Sequence, residues 1–195
     1  GIQLAGQASV DAEFENPAVD RARLHGQLAI NGWSLGRTAE GVWSERELTG
    51  DFDILAASAT PNLSQIRTAR VRLRADADRA SLDWNEPASA ANGSPDVKFE
   101  LVGDLDRWMR RGKFLAPQMP GRLSGQAQLT GAVQRANDGV MSGQVSGTVQ
   151  NLRVMSDSQA FSDPSVAISL DGQLKTATGD WNLSTFRVTG QSVAI

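Results

Sequence analysis

The 195-residue chain contains no cysteine and no tyrosine, and its single histidine is His25. Without cysteine it can form no disulfide, and it offers a metal no thiolate ligand. One histidine is too few for a histidine-based zinc centre or a catalytic triad, and the alternating residues around it predict a place on the polar face of a strand. We therefore expect His25 to be a surface residue, and we expect the chain to have no catalytic residue, metal site or cofactor.

Strong charge of one sign and long apolar runs are missing as well. The net charge is only −3, with acidic and basic residues interspersed, whereas a nucleic-acid-binding protein needs a dense basic face. No run approaches the roughly 18 apolar residues of a membrane-spanning helix. The sequence also has no phosphate-binding glycine loop, nucleophile elbow or HExxH motif. These absences argue against a nucleic-acid partner and against enzymatic activity.

What the chain does contain is a short pattern of alternating apolar residues around a glycine, repeated six times. The glycine and the apolar residues share one parity, so in an extended strand they all point to the same side. Five of the six copies have glutamine directly after the glycine. The copies begin at Leu4, Leu24, Leu48, Leu123, Met141 and Leu170. Repetition of one strand-sized unit predicts a regular, elongated β-structure.

Period-two alternation of apolar and polar residues predicts strands along most of the chain. Half-buried antiparallel strands also fit the hydrophobic content of 40%, since every second residue faces water. The parity reverses at Asn151, which predicts a β-bulge. The predicted strands cover residues 2–10, 24–32, 48–56, 69–77, 97–103, 123–133, 140–149, 166–174 and 181–188, with short pieces at 42–43 and 82–84.

The strand predicted at 69–77 has an unusually charged polar side. Alternation places five charged residues on this side: Arg70, Arg72, Arg74, Asp76 and Asp78. We expect a solvated outer face on which the two aspartates balance the arginines.

A glycine on the apolar side of a strand needs an explanation, because it weakens the strand by about 0.5–1 kcal/mol relative to alanine. Within a sheet, glycine typically marks a bend or a close approach by another group. Aligned glycines would let the sheet curl into a trough lined by the flanking Leu, Val, Ile and Phe residues. The alternative is that they ease a bend in an ordinary β-sandwich.

One helix is predicted, from Asp104 to Gly112, because Leu105, Trp108 and Met109 have helical spacing. Asp104 suits the N-cap, and Gly112 suits the C-terminal stop. The helix could contact anionic headgroups through its cations, or plug the trough with its apolar side. These cations are Arg107, Arg110, Arg111 and Lys113.

Residues 85–96 are rich in Pro, Ala, Asn, Gly and Ser and predict a flexible loop. This loop could join two halves, 1–84 and 97–195, of one continuous β-structure over residues 1–195. Because the chain opens and closes inside copies of the repeat, we expect it to be a segment of a longer protein.

The stretch 97–133 combines several features in a fixed order: Gly103-Asp104-Leu105 at a strand end, a short helix, Pro120-Gly121, Leu123-Ser-Gly125 and Leu129-Thr-Gly131. In these features it resembles the AsmA-like and TamB-like proteins of the bacterial envelope. The resemblance implies an all-β fold with one short helix, in which an elongated, curled antiparallel sheet forms a groove that is apolar inside and polar outside.

The same resemblance implies a non-enzymatic segment that shelters phospholipid acyl chains during transport between the inner and outer membranes. It implies a place in the periplasm or cell envelope of a diderm bacterium, with inner-membrane anchoring by parts outside this chain. We expect the groove to be lined by Leu28, Ile30, Phe52, Ile54, Val71, Leu73, Phe99, Leu101, Ala127, Leu129, Val145, Ile168, Leu170 and Leu174.

Two other functions are compatible with the same strands. A structural or adhesive β-sandwich module of a surface protein would have a closed core and no accessible apolar cavity. An assembly factor for outer-membrane proteins would use the trough and the exposed strand edges to hold unfolded strands.

Overall fold

The computed structural model describes residues 2–18, 21–37, 41–57, 65–85, 96–115, 121–135, 140–156, 160–175 and 178–191. Within these residues the chain forms ten strands and one helix, α1 (Leu105–Leu115). The strands are β1 (Ile2–Ala18), β2 (Arg21–Arg37), β3 (Gly41–Ala56), β4 (Ile66–Ala75), β5 (Asp78–Asn85), β6 (Asp96–Asp104), β7 (Arg122–Arg135), β8 (Val140–Met155), β9 (Ala160–Lys175) and β10 (Asp180–Gly190).

All ten strands belong to one antiparallel sheet, in which their order is the same as along the chain. Each strand pairs with the next, so successive antiparallel neighbours build the whole sheet. The sheet is curled but not closed, and β1 and β10 are its edges. The prediction of an all-β fold with a curled antiparallel sheet and one short helix is confirmed.

The strand register aligns the apolar side chains in rows that cross the sheet, because directly paired residues of an antiparallel sheet point to the same face. We call the face of the sheet that carries these rows the apolar face. The phenylalanine row runs through Gly26, Phe52, Val71, Leu82, Phe99, Gly131, Val145, Leu170 and Phe186. The leucine row runs through Val10, Leu28, Gly50, Leu73, Ala80, Leu101, Leu129, Gly147, Ile168 and Val188.

A third row lies beside the leucine row and contains most of the buried residues. It consists of Ile30, Leu48, Ala75 and Asp78, followed by Gly103, Ala127, Val149 and Val166. The buried hydrophobic side chains of the described residues are all alanine or valine. No second sheet covers the apolar face within the described part of the chain, so the large side chains of the first two rows stay partly exposed.

Most strands are longer in the structure than predicted, β1 for instance ending at Ala18 instead of residue 10, and two further element ends are wrong. β4 ends at Ala75, because a turn at Asp76 and Ala77, with Asp76 at φ 54°, reverses the chain before β5. Asp78 therefore pairs with Ala75 on the apolar face instead of lying on the polar face. The helix does not stop at Gly112 but continues to Leu115. A glycine inside a helix costs only about 1 kcal/mol, which neighbouring contacts can outweigh.

The β-bulge predicted at Asn151 is confirmed. The register between β7 and β8 shifts at this point, so Gly125 at φ 137° faces Asn151 at φ 54° and the residue after it. The β1–β2 pair has the same irregularity, with Gly6 at φ 136° opposite Gly32 at φ 61°. Positive φ angles favour glycine and asparagine. Two copies of the glycine repeat thus serve as bulges.

Most of the loop predicted at 85–96 lies outside the described residues. Asn85 ends β5 and Asp96 begins β6, and these two strands pair along their length. The sheet is therefore continuous across the boundary between the two proposed halves.

Candidate functional site

The candidate site is the apolar face. All fourteen residues expected to line a groove lie on it. Five belong to the phenylalanine row and five to the leucine row, while Ile30 and Ala127 lie in the third row. Ile54 and Leu174 lie beyond the phenylalanine row, where they pair with Leu24 and Met141.

The exposure of this face increases towards the edges of the sheet. Phe52, Phe99 and Leu170 are half-buried by their neighbours on the same face. On the edge strands, Phe14 is 53% exposed and Phe186 is 52% exposed. Exposed apolar side chains that continue across a whole sheet mark a surface for an apolar partner.

Glycines lie where a neighbouring strand crowds the apolar face. A Cβ on Gly50 would lie 2.7 Å from Leu73 Cδ2 and 3.0 Å from the Arg72 carbonyl oxygen. On Gly147, a Cβ would collide with the Gln128 carbonyl oxygen and lie 2.9 Å from Leu129 Cα. Glycine at these points lets the sheet curve towards the apolar face, because no side chain holds the strands apart.

Two further glycines of the repeat form the floor of a hollow. Gly143 of β8 pairs with Gly172 of β9 on the apolar face. The absence of two adjacent side chains leaves a hollow of about 350 Å³. Its apolar walls are Val133, Met141, Val145, Leu170, Leu174 and Leu183. The hollow is open and lined mainly by carbon, and it could accept a flexible hydrocarbon segment.

Helix α1 covers one end of the apolar face, over the third row. It packs against β3, β6 and β7. A Cβ on Gly103 would lie 2.8 Å from Trp108 Nε1 and would collide with the Asp78 carboxylate, so both groups lie directly over Gly103. Asp104 caps the helix by accepting hydrogen bonds from the Asp106 amide at 2.9 Å and the Arg107 amide at 3.2 Å. We call this region the covered end.

Two arginines of α1 turn inward and hold the helix on the sheet through carboxylates. Arg107 Nη2 donates to Asp78 Oδ1 at 2.7 Å, and Arg111 Nη1 donates to Asp78 Oδ2 at 2.6 Å. Arg111 Nε also donates to Glu45 Oε1 at 2.6 Å, and the same oxygen accepts a hydrogen bond from Trp43 Nε1 at 2.7 Å. Of the four helix cations that could contact lipid headgroups, Arg107 and Arg111 thus bind carboxylates of the sheet instead.

The two carboxyl groups at the covered end are held in their charged form. Burial alone would raise the pKa of Asp78, but hydrogen bonds from Arg107, the Asp104 amide and Arg111 outweigh it, so its pKa lies below the usual range. Burial opposes ionisation of Glu45 in the same way, and hydrogen bonds from Arg111 and Trp43 still lower its pKa. The covered end is thus a charged, ion-paired contact at neutral pH, in which Arg111 Nη2 is buried without a hydrogen-bond partner.

The opposite face of the sheet is polar and carries ion pairs across neighbouring strands. Arg23 makes two hydrogen bonds to Asp53, at 2.9 and 2.8 Å, and Arg70 donates to Asp83 at 3.0 Å. His25 lies on this polar face, directly opposite Glu13. This face has a hollow of about 580 Å³, and nine of its thirteen lining residues have polar or charged side chains.

Sequence reasoning missed part of the site. Val133, Met141 and Leu183 line the hollow but were not among the expected residues. Parity alone could have found Val133 and Met141, because each alternates with the lining residues of its strand. It could not have found Leu183, since a register shift between Leu183 and Thr185 reverses the parity of β10. It also missed the contacts of Asp78 and Glu45 with α1, which depend on a turn and a helix position that no local pattern encodes.

Comparison with known proteins adds no assignment, since no family model, curated protein or solved structure matches this chain. Among the described residues, no helix is long and apolar enough to cross a membrane. The geometry itself offers an open hydrocarbon-lined surface with one covered end. Such a surface can bind apolar chains, and the described residues of its phenylalanine and leucine rows include no polar side chain that would select one chain over another.

Proposed function

We propose that this chain is a non-enzymatic segment of an envelope protein, and that its apolar face shelters the acyl chains of phospholipids on their way between the inner and outer membranes. The observation that carries the proposal is the continuous apolar face of one open sheet, with its large side chains only half-buried. An ordinary domain would bury such residues in a core.

The dimensions of the face suit an acyl chain. Neighbouring strands lie about 4.8 Å apart, so a row that crosses the ten strands runs for roughly 40 Å. Each methylene group that leaves water for this surface contributes about 0.8 kcal/mol. The phospholipid headgroup would stay in water at the open side of the curled sheet. Because the rows are uniformly apolar, a chain could move from one strand to the next without breaking a specific contact.

The resemblance of residues 97–133 to AsmA-like and TamB-like envelope proteins supports the same proposal. It would place the segment in the periplasm of a diderm bacterium, held to the inner membrane by other parts of the protein. The closed sandwich of the structural alternative is not found among the described strands, which form one sheet.

The proposal is tested by lipid that co-purifies with the chain from bacteria. Lipid is extracted from the purified protein, and its phosphorus and fatty acids are quantified. We expect phospholipid on the wild type and at least about a tenfold loss for Ile168→Glu, because a carboxylate on the leucine row would have to be desolvated against the acyl chain.

The matched control is Ala167→Glu, which places the same charge one residue away on the exposed opposite face. It should keep the lipid content of the wild type. Circular dichroism checks that both variants retain the sheet. Absence of lipid from the wild type, or equal lipid in the two variants, would contradict the proposal.

A second candidate function is favoured by the edge strands. Val10 on β1 and Leu183 on β10 are 62% and 56% exposed, and both belong to strands with one unpaired side. An assembly factor could use such edges to pair with unfolded outer-membrane strands. It predicts crosslinks to protein at β1 and β10, whereas lipid transfer predicts crosslinks to lipid along the rows.

A further inference from the structure

Three metal-ligating side chains meet on the polar face of the β1–β2 pair, away from the apolar face. Glu13 and Glu15 are two residues apart on β1 and so point to the same side. His25 of β2 lies directly opposite Glu13 in the register. The strand pairing therefore supplies this histidine with the two carboxylates that its own sequence neighbours do not provide.

The spacing of these groups suits a small cation. His25 Nε2 lies 3.7 Å from Glu13 Oε2 and 3.7 Å from Glu15 Oε1, which is too long for hydrogen bonds. Two ligands bound tetrahedrally at 2.0–2.2 Å from one ion are about 3.3–3.6 Å apart. Ligand atoms of all three residues lie within 4.8 Å of one another. The two distances from His25 to the glutamates are thus close to those that a shared ion would impose.

The chemistry of the donors indicates the class of ion. An imidazole nitrogen with two carboxylates suits a first-row divalent ion such as Zn²⁺, whereas Ca²⁺ and Mg²⁺ favour sites made of oxygen alone. The two carboxylates balance the charge of the ion. Arg23 lies 3.8 Å from Glu15, but its guanidinium makes two hydrogen bonds to Asp53, which leaves the carboxylate of Glu15 accessible.

We propose that Glu13, Glu15 and His25 form a binding site for a divalent transition-metal ion, with water completing its coordination. The His25 side chain is 34% exposed and that of Glu15 41%, so an ion can reach the site from solvent without opening the sheet. A bound ion would link the edge strand β1 to β2 and hold the end of the apolar face that α1 does not cover. This site is independent of the proposed lipid binding.

The test is titration of the whole chain with Zn²⁺ in a buffer free of chelators, followed by calorimetry. We expect saturable binding of one ion, and an affinity at least about tenfold lower for His25→Gln and for Glu15→Gln. Glu47→Gln is the matched control, since this exposed glutamate of β3 lies outside the cluster, and it should bind as the wild type does.

Thermal unfolding gives a second readout that does not depend on heats of binding. Zn²⁺ should raise the melting temperature of the wild type and of Glu47→Gln but not that of His25→Gln. Circular dichroism before titration shows whether each variant is folded. The proposal is overturned if the folded wild type binds no zinc, or if folded His25→Gln binds it as tightly.

Discussion

At the scale of single residues, one repeated glycine has three different structural roles. Gly6 and Gly125 lie in β-bulges and have positive φ angles. Gly50 lies where a neighbouring strand crowds the apolar face, and Gly143 and Gly172 form the floor of the hollow. The same short pattern therefore shapes the sheet in different ways, according to what the partner strand brings opposite the glycine.

This difference can be tested within one strand. Gly147→Ala should lower the free energy of unfolding by about 1–3 kcal/mol, because its Cβ would collide with the backbone of β7. Gly143→Ala should be neutral or stabilising by about 0.5–1 kcal/mol, since its nearest neighbour is 3.8 Å away. Urea unfolding of the two variants measures both effects. Equal destabilisation would show that crowding by β7 is not the reason for glycine at position 147.

At the scale of elements, α1 is the one part of the described chain that covers the apolar face, and two of its arginines hold it there through buried carboxylates. The carboxylate of Asp78 is only 6% exposed and accepts hydrogen bonds from two arginines of the helix. Arg107 and Arg111 keep 26% and 18% exposure, so a little water remains in contact with them. The helix thus covers one end of the apolar face with an ion-paired cluster whose carboxylate is buried and whose arginines stay partly exposed.

Removing Asp78 should therefore undock the helix. We expect Asp78→Ala to lower the free energy of unfolding by about 2–3 kcal/mol at neutral pH, because both arginines lose a buried partner. Asp83→Ala breaks the exposed pair with Arg70 and should cost less than about 1 kcal/mol. Urea titrations at several pH values measure the loss of stability in each of the two variants.

The contribution of Asp78 to the free energy of unfolding changes with pH in a definite direction. Folding lowers the pKa of Asp78, so its stabilising contribution is present above the ordinary aspartate value of about 3.9 and is lost as the pH falls through the lower folded value. The difference between the wild type and Asp78→Ala should narrow below about pH 4. A difference that stays constant down to pH 2 would show that the ion pairs contribute little.

At the scale of the whole molecule, the described residues form one open sheet whose large apolar side chains lie side by side instead of meeting a second layer. Alternation in the sequence was enough to predict the strands and the face of every expected lining residue, because side-chain direction in a strand depends only on parity. The predicted end of β1 at residue 10 is too early, because Ala12 and Phe14 continue the alternation and pairing with β2 extends to Ala18. To predict the position and contacts of Asp78, one would also have to know that the chain turns at Asp76 and where α1 lies on the sheet.

Binding of hydrocarbon to one face of this sheet is tested most directly by crosslinking at three consecutive positions of β8. A photoreactive phenylalanine analogue is placed in turn at Gln144, Val145 and Ser146, and the chain is irradiated in living bacteria. Val145 lies on the apolar face, and its two neighbours are exposed on the polar face. We expect phospholipid crosslinked at 145 and not at 144 or 146. Equal crosslinking at all three positions, or none at 145, would contradict the account.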